Sequence, residues 1–325
     1  MKKKIVAVTG ANGFIGLHIV NKFLNEGFKV VATVRDAQDE KKIKDLKNLD
    51  QQENLEIKSA DLFDKQNFIE IFKNVNIIVH NASPLINSDK EDDFVKPALA
   101  GVENVFDAVL QIPKGQITNV IQISSNSAVG GDPVIIKDHT ITENDWSDIN
   151  VQREKKAWYA LSKTLAEKKV LSYENKFKER GITLSRICPV YVLGPILQTD
   201  KINISTYKIY QLLTGDLKEI PQKHMNLVDV RDVAEMIYQA VIKNKPGRFV
   251  AIEKGYTLEE ICKICRKYAG KYEKNIPIKV EDKEENLPAK YNVQSSYDLL
   301  GKQMIVTQLL FFFIINFKSI YIILI

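Results

Sequence analysis

The chain has 325 residues, 45% of them hydrophobic and 27% charged, with a formal net charge of +5. That length and balance suit a soluble protein with one sizeable domain and a smaller one. Basic and acidic side chains are mixed along surface-type stretches, which argues against a nucleic-acid partner, and three cysteines are too few for a disulfide framework and point to a reducing, cytoplasmic setting.

Met1-Lys2-Lys3-Lys4 opens like a secretory signal, but the apolar run behind it stops at Thr9-Gly10 and reads better as a first strand, Lys4–Thr9. Thr9-Gly10-Ala11-Asn12-Gly13-Phe14-Ile15-Gly16 follows directly. Gly10 permits a tight turn, Gly13 lets a pyrophosphate approach the backbone, and Gly16 lets the next helix pack on the strand. The N-terminus of that helix then offers unpaired N–H groups to the phosphates. Asn12, Phe14 and Ile15 belong to the same dinucleotide loop.

Strand-like and helix-like runs alternate over the next 180 or so residues, the signature of a parallel sheet with helices on both faces. Further strands are expected at Phe28–Val34, Leu55–Ser59, Ile77–Asn81, Val120–Ser124 and Thr183–Cys188, and helices at Phe14–Glu26, Asp64–Phe72, Asp92–Leu110 and Arg153–Phe177. The second strand closes on Arg35, where an acid would bond a ribose 2′-hydroxyl and an Arg instead accommodates a 2′-phosphate. Asp36 is expected to point away by strand alternation. Lys42 starts a basic helix face and offers a second phosphate contact. At the end of the third strand Asp61 can accept from an adenine amino group and Leu62 can cover the base; the bland alternative for Asp61 is a helix cap. His80-Asn81-Ala82-Ser83-Pro84 ends the fourth strand. Ala82 lies there beside the cofactor, and His80 is read as a packed residue with no acid–base role.

Ser124-Ser125 ends the fifth strand, and Tyr159 and Lys163 stand four residues apart, hence on one helix face. A phenol with its ordinary pKa of about 10 is a poor acid–base group at neutral pH, and a neighbouring ammonium stabilises its phenolate. Ser125 would hold a substrate oxygen with Tyr159 while hydride goes to carbon, and Lys163 would also bond the nicotinamide ribose. A Tyr/Lys pair is common by chance. In chain order behind a glycine loop and a serine strand end, it points to hydride transfer on a carbonyl.

After Pro189 the alternation breaks. A helix at Ile204–Leu213, a short strand near Asn226–Val228 and helices at Val230–Ile242 and Leu258–Tyr268 are expected, and Cys262-Lys263-Ile264-Cys265 on the last reads as core packing rather than a metal or redox site. The expected organisation is a dinucleotide-binding domain over 1–190, a smaller α/β substrate lobe over 191–303 with some return to the first domain, and an atypical apolar tail over 304–325. That tail reads as a membrane anchor, a buried segment or an aberrant end to the reading frame.

With these residues in place the chain resembles the extended short-chain dehydrogenase/reductases, in the branch of the dihydroflavonol, cinnamoyl-CoA and yeast-type aldehyde/ketone reductases. The likeness spans about residues 4–300. It is carried by Val31-Ala32-Thr33-Val34-Arg35-Asp36, His80-Asn81-Ala82-Ser83-Pro84, Trp158-Tyr159 with Ser162-Lys163-Thr164-Leu165-Ala166-Glu167, Pro189 through Gly194-Pro195, and Val228-Asp229-Val230-Arg231-Asp232-Val233-Ala234. The resemblance implies a doubly wound (Rossmann) parallel sheet, a Ser125, Tyr159 and Lys163 trio, Arg35 and Lys42 as 2′-phosphate contacts, and Pro189, Val190 and Tyr191 along the nicotinamide. It implies NADP(H) as cofactor and reduction of an aldehyde or ketone to an alcohol.

Two departures keep the plant substrates from being carried over. Gly130 stands where plant dihydroflavonol reductases carry a ring-reading residue, and Trp158-Tyr159-Ala160-Leu161 lacks the Asn-Trp-Tyr-Cys-Tyr signature of cinnamoyl-CoA reductases. A 3β-hydroxysteroid dehydrogenase or a nucleotide-sugar epimerase/dehydratase would use the same trio, though no basic pyrophosphate clamp is identifiable in the second half. A non-catalytic NADP-sensing protein is the rival of another class, and such proteins lose the Tyr/Lys pair that this chain keeps.

Overall fold

Buried strands of five or six residues, each followed by a helix with one apolar face, can bury both only by stacking helices on the two faces of a shared sheet. The computed structural model describes residues 3–83, 88–130, 139–199, 203–215, 217–282 and 289–305. Its strands are β1 (Ile5–Thr9), β2 (Lys29–Val34), β3 (Leu55–Ser59), β4 (Ile77–His80), β5 (Asn119–Ile123), β6 (Thr140–Ile141), β7 (Thr183–Pro189), β8 (Tyr191–Leu193), β9 (His224–Asp229), β10 (Gly247–Ala251), β11 (Lys254–Thr257) and β12 (Lys290–Tyr291). Its helices are α1 (Phe14–Asn25), α2 (Glu40–Lys47), α3 (Lys65–Phe72), α4 (Glu91–Gln111), α5 (Ile149–Glu154), α6 (Trp158–Leu171), α7 (Glu174–Glu179), α8 (Ile204–Leu213), α9 (Val230–Ile242), α10 (Leu258–Tyr268) and α11 (Gln294–Leu300).

The main sheet has seven strands in the order β10-β7-β5-β4-β1-β2-β3, and every pair in it is parallel. The chain builds outward from β1 to β3 and then crosses back to β4 on the other side of β1. That reversal opens a crevice beyond the carboxyl ends of β1 and β4, where a doubly wound sheet binds its ligand. One face of the sheet is covered by α1, α9 and α11 and the other by α3, α4 and α6. A second, three-stranded sheet, β11-β9-β8, and a two-stranded one, β12-β6, stand beside it. A separate apolar cluster lies under the three-stranded sheet, built from Leu193, Ile209, Leu212, Met225, Leu227, Ile261 and both Cys262 and Cys265. Burial pushes the Cys262 thiol up to about 11 and the Cys265 thiol up to about 12, so both stay protonated in the core.

The six expected strands of the main sheet are present to within one residue at each end. The seventh, β10, comes from the second half of the chain and docks beside β7, with Ala251 paired to Pro189. The single helix expected over Arg153–Phe177 is three helices. Lys156 has φ 52°, a left-handed conformation that interrupts the helical path between α5 and α6. Asp148 caps α5 by accepting from Asn150 N and Val151 N. The break starts α6 afresh at Trp158, so Tyr159 lies in its first turn.

Near the end of the described chain, Met304 is buried in the main core and Ile305 N donates to Asp232 Oδ2 on α9 at 2.5 Å. Residues 306–325, the rest of the apolar tail, lie outside the described residues. Among the described residues no helix is long and apolar enough to cross a membrane.

Candidate active site

The crevice begins at Gly10, whose φ of 64° lies in the left-handed region that favours glycine. A Cβ there would sit 2.8 Å from Ala82 Cα, and one at Gly16 would sit 2.2 Å from the Gly10 carbonyl oxygen. The loop after β1, the start of α1 and the end of β4 are therefore held in near contact. Thr9 ties the same corner: its Oγ1 accepts from Asn81 N at 3.1 Å and Ala82 N at 3.0 Å. Its hydroxyl hydrogen is thereby left for His80 Nδ1, 2.9 Å away, so His80 carries its own proton on Nε2. Burial first, and the charge of Lys163 second, lower the His80 pKa to about 3. The ring is neutral and packed, in keeping with its reading as structural. At α1 the N-cap is Gly13, which brings no side-chain acceptor. The first-turn N–H groups of Phe14 and Ile15 thus remain for an anion.

The second cluster lies across the crevice. Ser125, at the end of β5, is 9% exposed, and its Oγ accepts from Ser127 N at 3.1 Å. Tyr159 is 38% exposed, while Lys163 on the next turn of α6 is only 8% exposed. Lys163 Nζ lies 5.9 Å from the centre of the Tyr159 ring. No ion pair or hydrogen bond engages that ammonium among the described residues. A cation this enclosed and unpaired is costly to keep unless a ligand completes it. Pro189 ends β7 beside β5, Val190 N donates to Ala251 O at 3.2 Å, and Tyr191 opens β8 with its hydroxyl accepting from Lys208 Nζ at 2.8 Å.

The third cluster is at the surface. Arg35 is exposed at the end of β2 and has no ion-pair partner among the described residues. Asp36 turns to the loop, accepting from Gln38 N at 2.9 Å. Lys42, on α2, is paired with Asp39 at 3.1 Å. Asp61 is exposed and its Oδ1 accepts from Phe63 N at 2.9 Å, leaving Oδ2 open, while the cap of α3 is Asp64, accepting from Asn67 N. Leu62 packs over Gly101 of α4, where a Cβ would come within 3.3 Å of it. On the substrate side, a Cβ at Gly130 would lie 2.8 Å from Ile141 Cδ1.

Two arrangements join residues far apart in the sequence, and the only local hint of either is the helical phase of Glu167 relative to Tyr159. The segment after β8 crosses the glycine loop: Pro195 O accepts from His18 Nε2 at 2.8 Å, Gln198 Nε2 donates to Asn12 O at 2.9 Å, and Thr199 Oγ1 donates to Asp45 on α2 at 2.8 Å. Asn12 in turn donates to Lys42 O at 3.2 Å. The second is a buried carboxylate on α6. Glu167 is fully buried and accepts from Ser124 Oγ at 2.6 Å and from Arg248 Nε at 2.7 Å.

The chain matches the NAD dependent epimerase/dehydratase family over residues 6–252. It is 32% identical over 301 residues to cinnamoyl-CoA reductase 2 of Medicago truncatula, covering 90% of this chain and 85% of that protein. It belongs to that family. Among solved structures, Gre2 of Candida albicans in complex with NADPH superposes with a TM-score of 0.83 at 26% identity, covering 96% of this chain and 99% of that one. Vestitone reductase from alfalfa (Medicago sativa) superposes with a TM-score of 0.79, also at 26% identity, covering 98% of this chain and 99% of that one. The chain is an oxidoreductase of this family.

Proposed function

We propose that this chain reduces a small-molecule aldehyde or ketone to the alcohol with NADPH, and that Tyr159 gives the proton. The observation that carries the reading is the pairing of an exposed Tyr159 with an enclosed Lys163, whose ammonium makes no hydrogen bond or ion pair among the described residues, on one face of α6, across the crevice from the glycine loop. The chain is an NADP-dependent oxidoreductase acting on CH–OH or carbonyl groups, in line with the relatives named cinnamoyl-CoA reductase and with the NADPH complex of Gre2.

The residues present fit the dinucleotide. The space between Gly10, Gly16 and Ala82 admits no additional Cβ, the uncapped start of α1 suits a pyrophosphate, and the exposed Arg35, without an ion-pair partner among the described residues, could take a 2′-phosphate. When bound, the cofactor supplies the hydride. Ser125 Oγ and the Tyr159 hydroxyl would both bond the carbonyl oxygen and polarise it. As charge develops on that oxygen, Tyr159 releases its proton to it. The nearby ammonium of Lys163 stabilises the phenolate left behind, and the same ammonium would bond the ribose hydroxyls. Leu62 and Asp61 would hold the adenine, and Pro189, Val190 and Tyr191 would line the nicotinamide.

The test is consumption of NADPH by the purified chain against a panel of aldehydes and ketones, with the alcohol identified in the product, and against acyl-CoA thioesters, where the product would instead be the aldehyde and free CoA. Tight NADPH binding without turnover of any panel member would turn the assignment toward a cofactor-sensing protein.

A further inference from the structure

We infer that Glu167, acting through Ser124, is a positioning residue that sets Ser125 against Tyr159. The inference rests on the role proposed above for Ser125.

Tyr159, Lys163 and Glu167 are spaced four residues apart on α6 and share one face of it. The first two meet the crevice, and the third reaches the end of β5. Successive side chains on an extended chain point to opposite sides, and Ser125 is extended, with φ −159° and ψ 151°. So as Ser125 faces the site, Ser124 faces α6, and its Oγ donates to Glu167 Oε2 at 2.6 Å. The peptides on the far side of Ser125 are tied to α5 and to the same ion pair. Ser127 O accepts from Gln152 Nε2 of α5 at 2.9 Å, while the Thr164 hydroxyl of α6 lies 3.3 Å from it and 3.0 Å from Ala160 O of its own helix. Ala128 O accepts from Arg248 Nη2 at 3.1 Å. Arg248, on β10, forks onto Glu167 through Nε at 2.7 Å and Nη2 at 3.1 Å, and its guanidinium stacks 4.0 Å from the centre of the Trp146 ring.

Burying a carboxylate and a guanidinium is costly, and an apolar contact would hold β5 to α6 as firmly. An apolar contact has no direction, however. The forked Arg248 fixes the plane of the carboxylate and takes two of its acceptor sites; the Ser124 hydroxyl makes the short bond to Oε2 at 2.6 Å, and the Cys188 thiol lies farther off at 3.7 Å. The backbone that carries Ser125 is thus registered to the helix that carries Tyr159, to within the length of a hydrogen bond.

Ser124→Ala tests this without disturbing the Glu167–Arg248 pair. The expected result is a fall in kcat of roughly tenfold, the scale set by a sub-ångström misplacement of a reacting group, with the NADPH dissociation constant near wild type and a lowered melting temperature, since a buried carboxylate loses one donor. Ser124→Thr, which keeps the hydroxyl, restores kcat. Because the effect passes through Ser125, adding Ser124→Ala to Ser125→Ala costs nothing further. An unchanged kcat in Ser124→Ala, or the same fractional loss in the Ser125→Ala background, would overturn the inference while leaving the role of Ser125 standing. Normal turnover by Ser125→Ala alone would remove that role, and the inference with it.

Discussion

At the catalytic end of the crevice Ser125, Lys163 and His80 are buried and each sits in a closed frame of backbone and side-chain contacts, whereas at the adenine end Arg35 and Asp61 are exposed. The first end is held by groups from β1, β4, β5, α6 and β10. The second rests on the tips of β2 and β3 and one turn of α2. Geometry governs the buried end, where a misplaced donor loses most of its effect. Charge governs the exposed end, where solvent screens each contact and several weak ones sum. On the proposed reading, chemistry depends on the buried frame, and cofactor choice on a few exposed residues.

The contrast breaks most visibly at Tyr159. Tyr159→Phe keeps the ring and removes the proton, and turnover is expected to fall at least ~10²-fold, the range for loss of a general acid, with cofactor binding nearly unchanged. Lys163→Ala is expected to damage both turnover and cofactor affinity, because on the proposed mechanism one ammonium serves phenol and ribose. A Tyr159→Phe enzyme with near-normal turnover on a good substrate would end the mechanism.

Arg35→Ala probes the other end. Charge-assisted bonds to the 2′-phosphate are expected to give NADPH an advantage over NADH of roughly 10- to 100-fold, and the substitution should abolish it by weakening NADPH alone. The advantage should also shrink as salt is added, since the site is exposed. Calorimetric titration that finds both cofactors weakened equally would sink the assignment of Arg35.

His80 sharpens the comparison through pH. Its pKa falls from the ordinary 6.5 to about 3 on burial beside Lys163, so the folded protein accepts only the neutral ring. The unfolded chain takes up that proton first. Stability from this group is complete above about 6.5 and is lost progressively as pH falls toward about 3. In chemical denaturation from neutrality to mild acid, the wild type should lose more stability than His80→Asn, in which Thr9 keeps an acceptor. His18, whose pKa burial also lowers, is common to both proteins and cancels. Parallel stability curves for the two would contradict the neutral, Nε2-protonated ring.

How much of this was legible in the sequence follows the same divide between local and distant. The glycine loop, the Tyr159/Lys163 spacing and six strands of the main sheet are written in consecutive residues, where periodicity and turn chemistry act. The helix break at Lys156 was missed because a single left-handed lysine leaves no compositional mark. Strand β10 was missed because Arg248 interrupts a five-residue apolar run in a region where strands and helices no longer alternate. The Glu167 frame joins residues 43 and 81 positions apart, and the Gln198 crossing of the glycine loop joins residues 186 apart. Such pairings exist only once the sheet is assembled. Glu167 stood in a recognised run, eight residues beyond Tyr159, and its helical phase was the one hint available.

The smallest effect is expected at Lys42. Its ammonium is already paired with Asp39 at 3.1 Å, and both side chains are well exposed. Turning that ammonium toward a 2′-phosphate means giving up a solvent-screened surface ion pair that is itself worth little. The gain on binding is the difference between two screened contacts. Lys42→Ala is therefore expected to weaken NADPH only about two- to fivefold, and Asp39→Asn, which frees the ammonium while its Oδ1 still caps α2, to tighten it slightly. The α2 cap itself is Asp39, accepting from Lys41 N, so circular dichroism of the variant separates fraying from charge. A loss at Lys42 as large as that at Arg35 would mean that α2 closes over the phosphate on binding, and the exposed end would then be as constrained as the buried one.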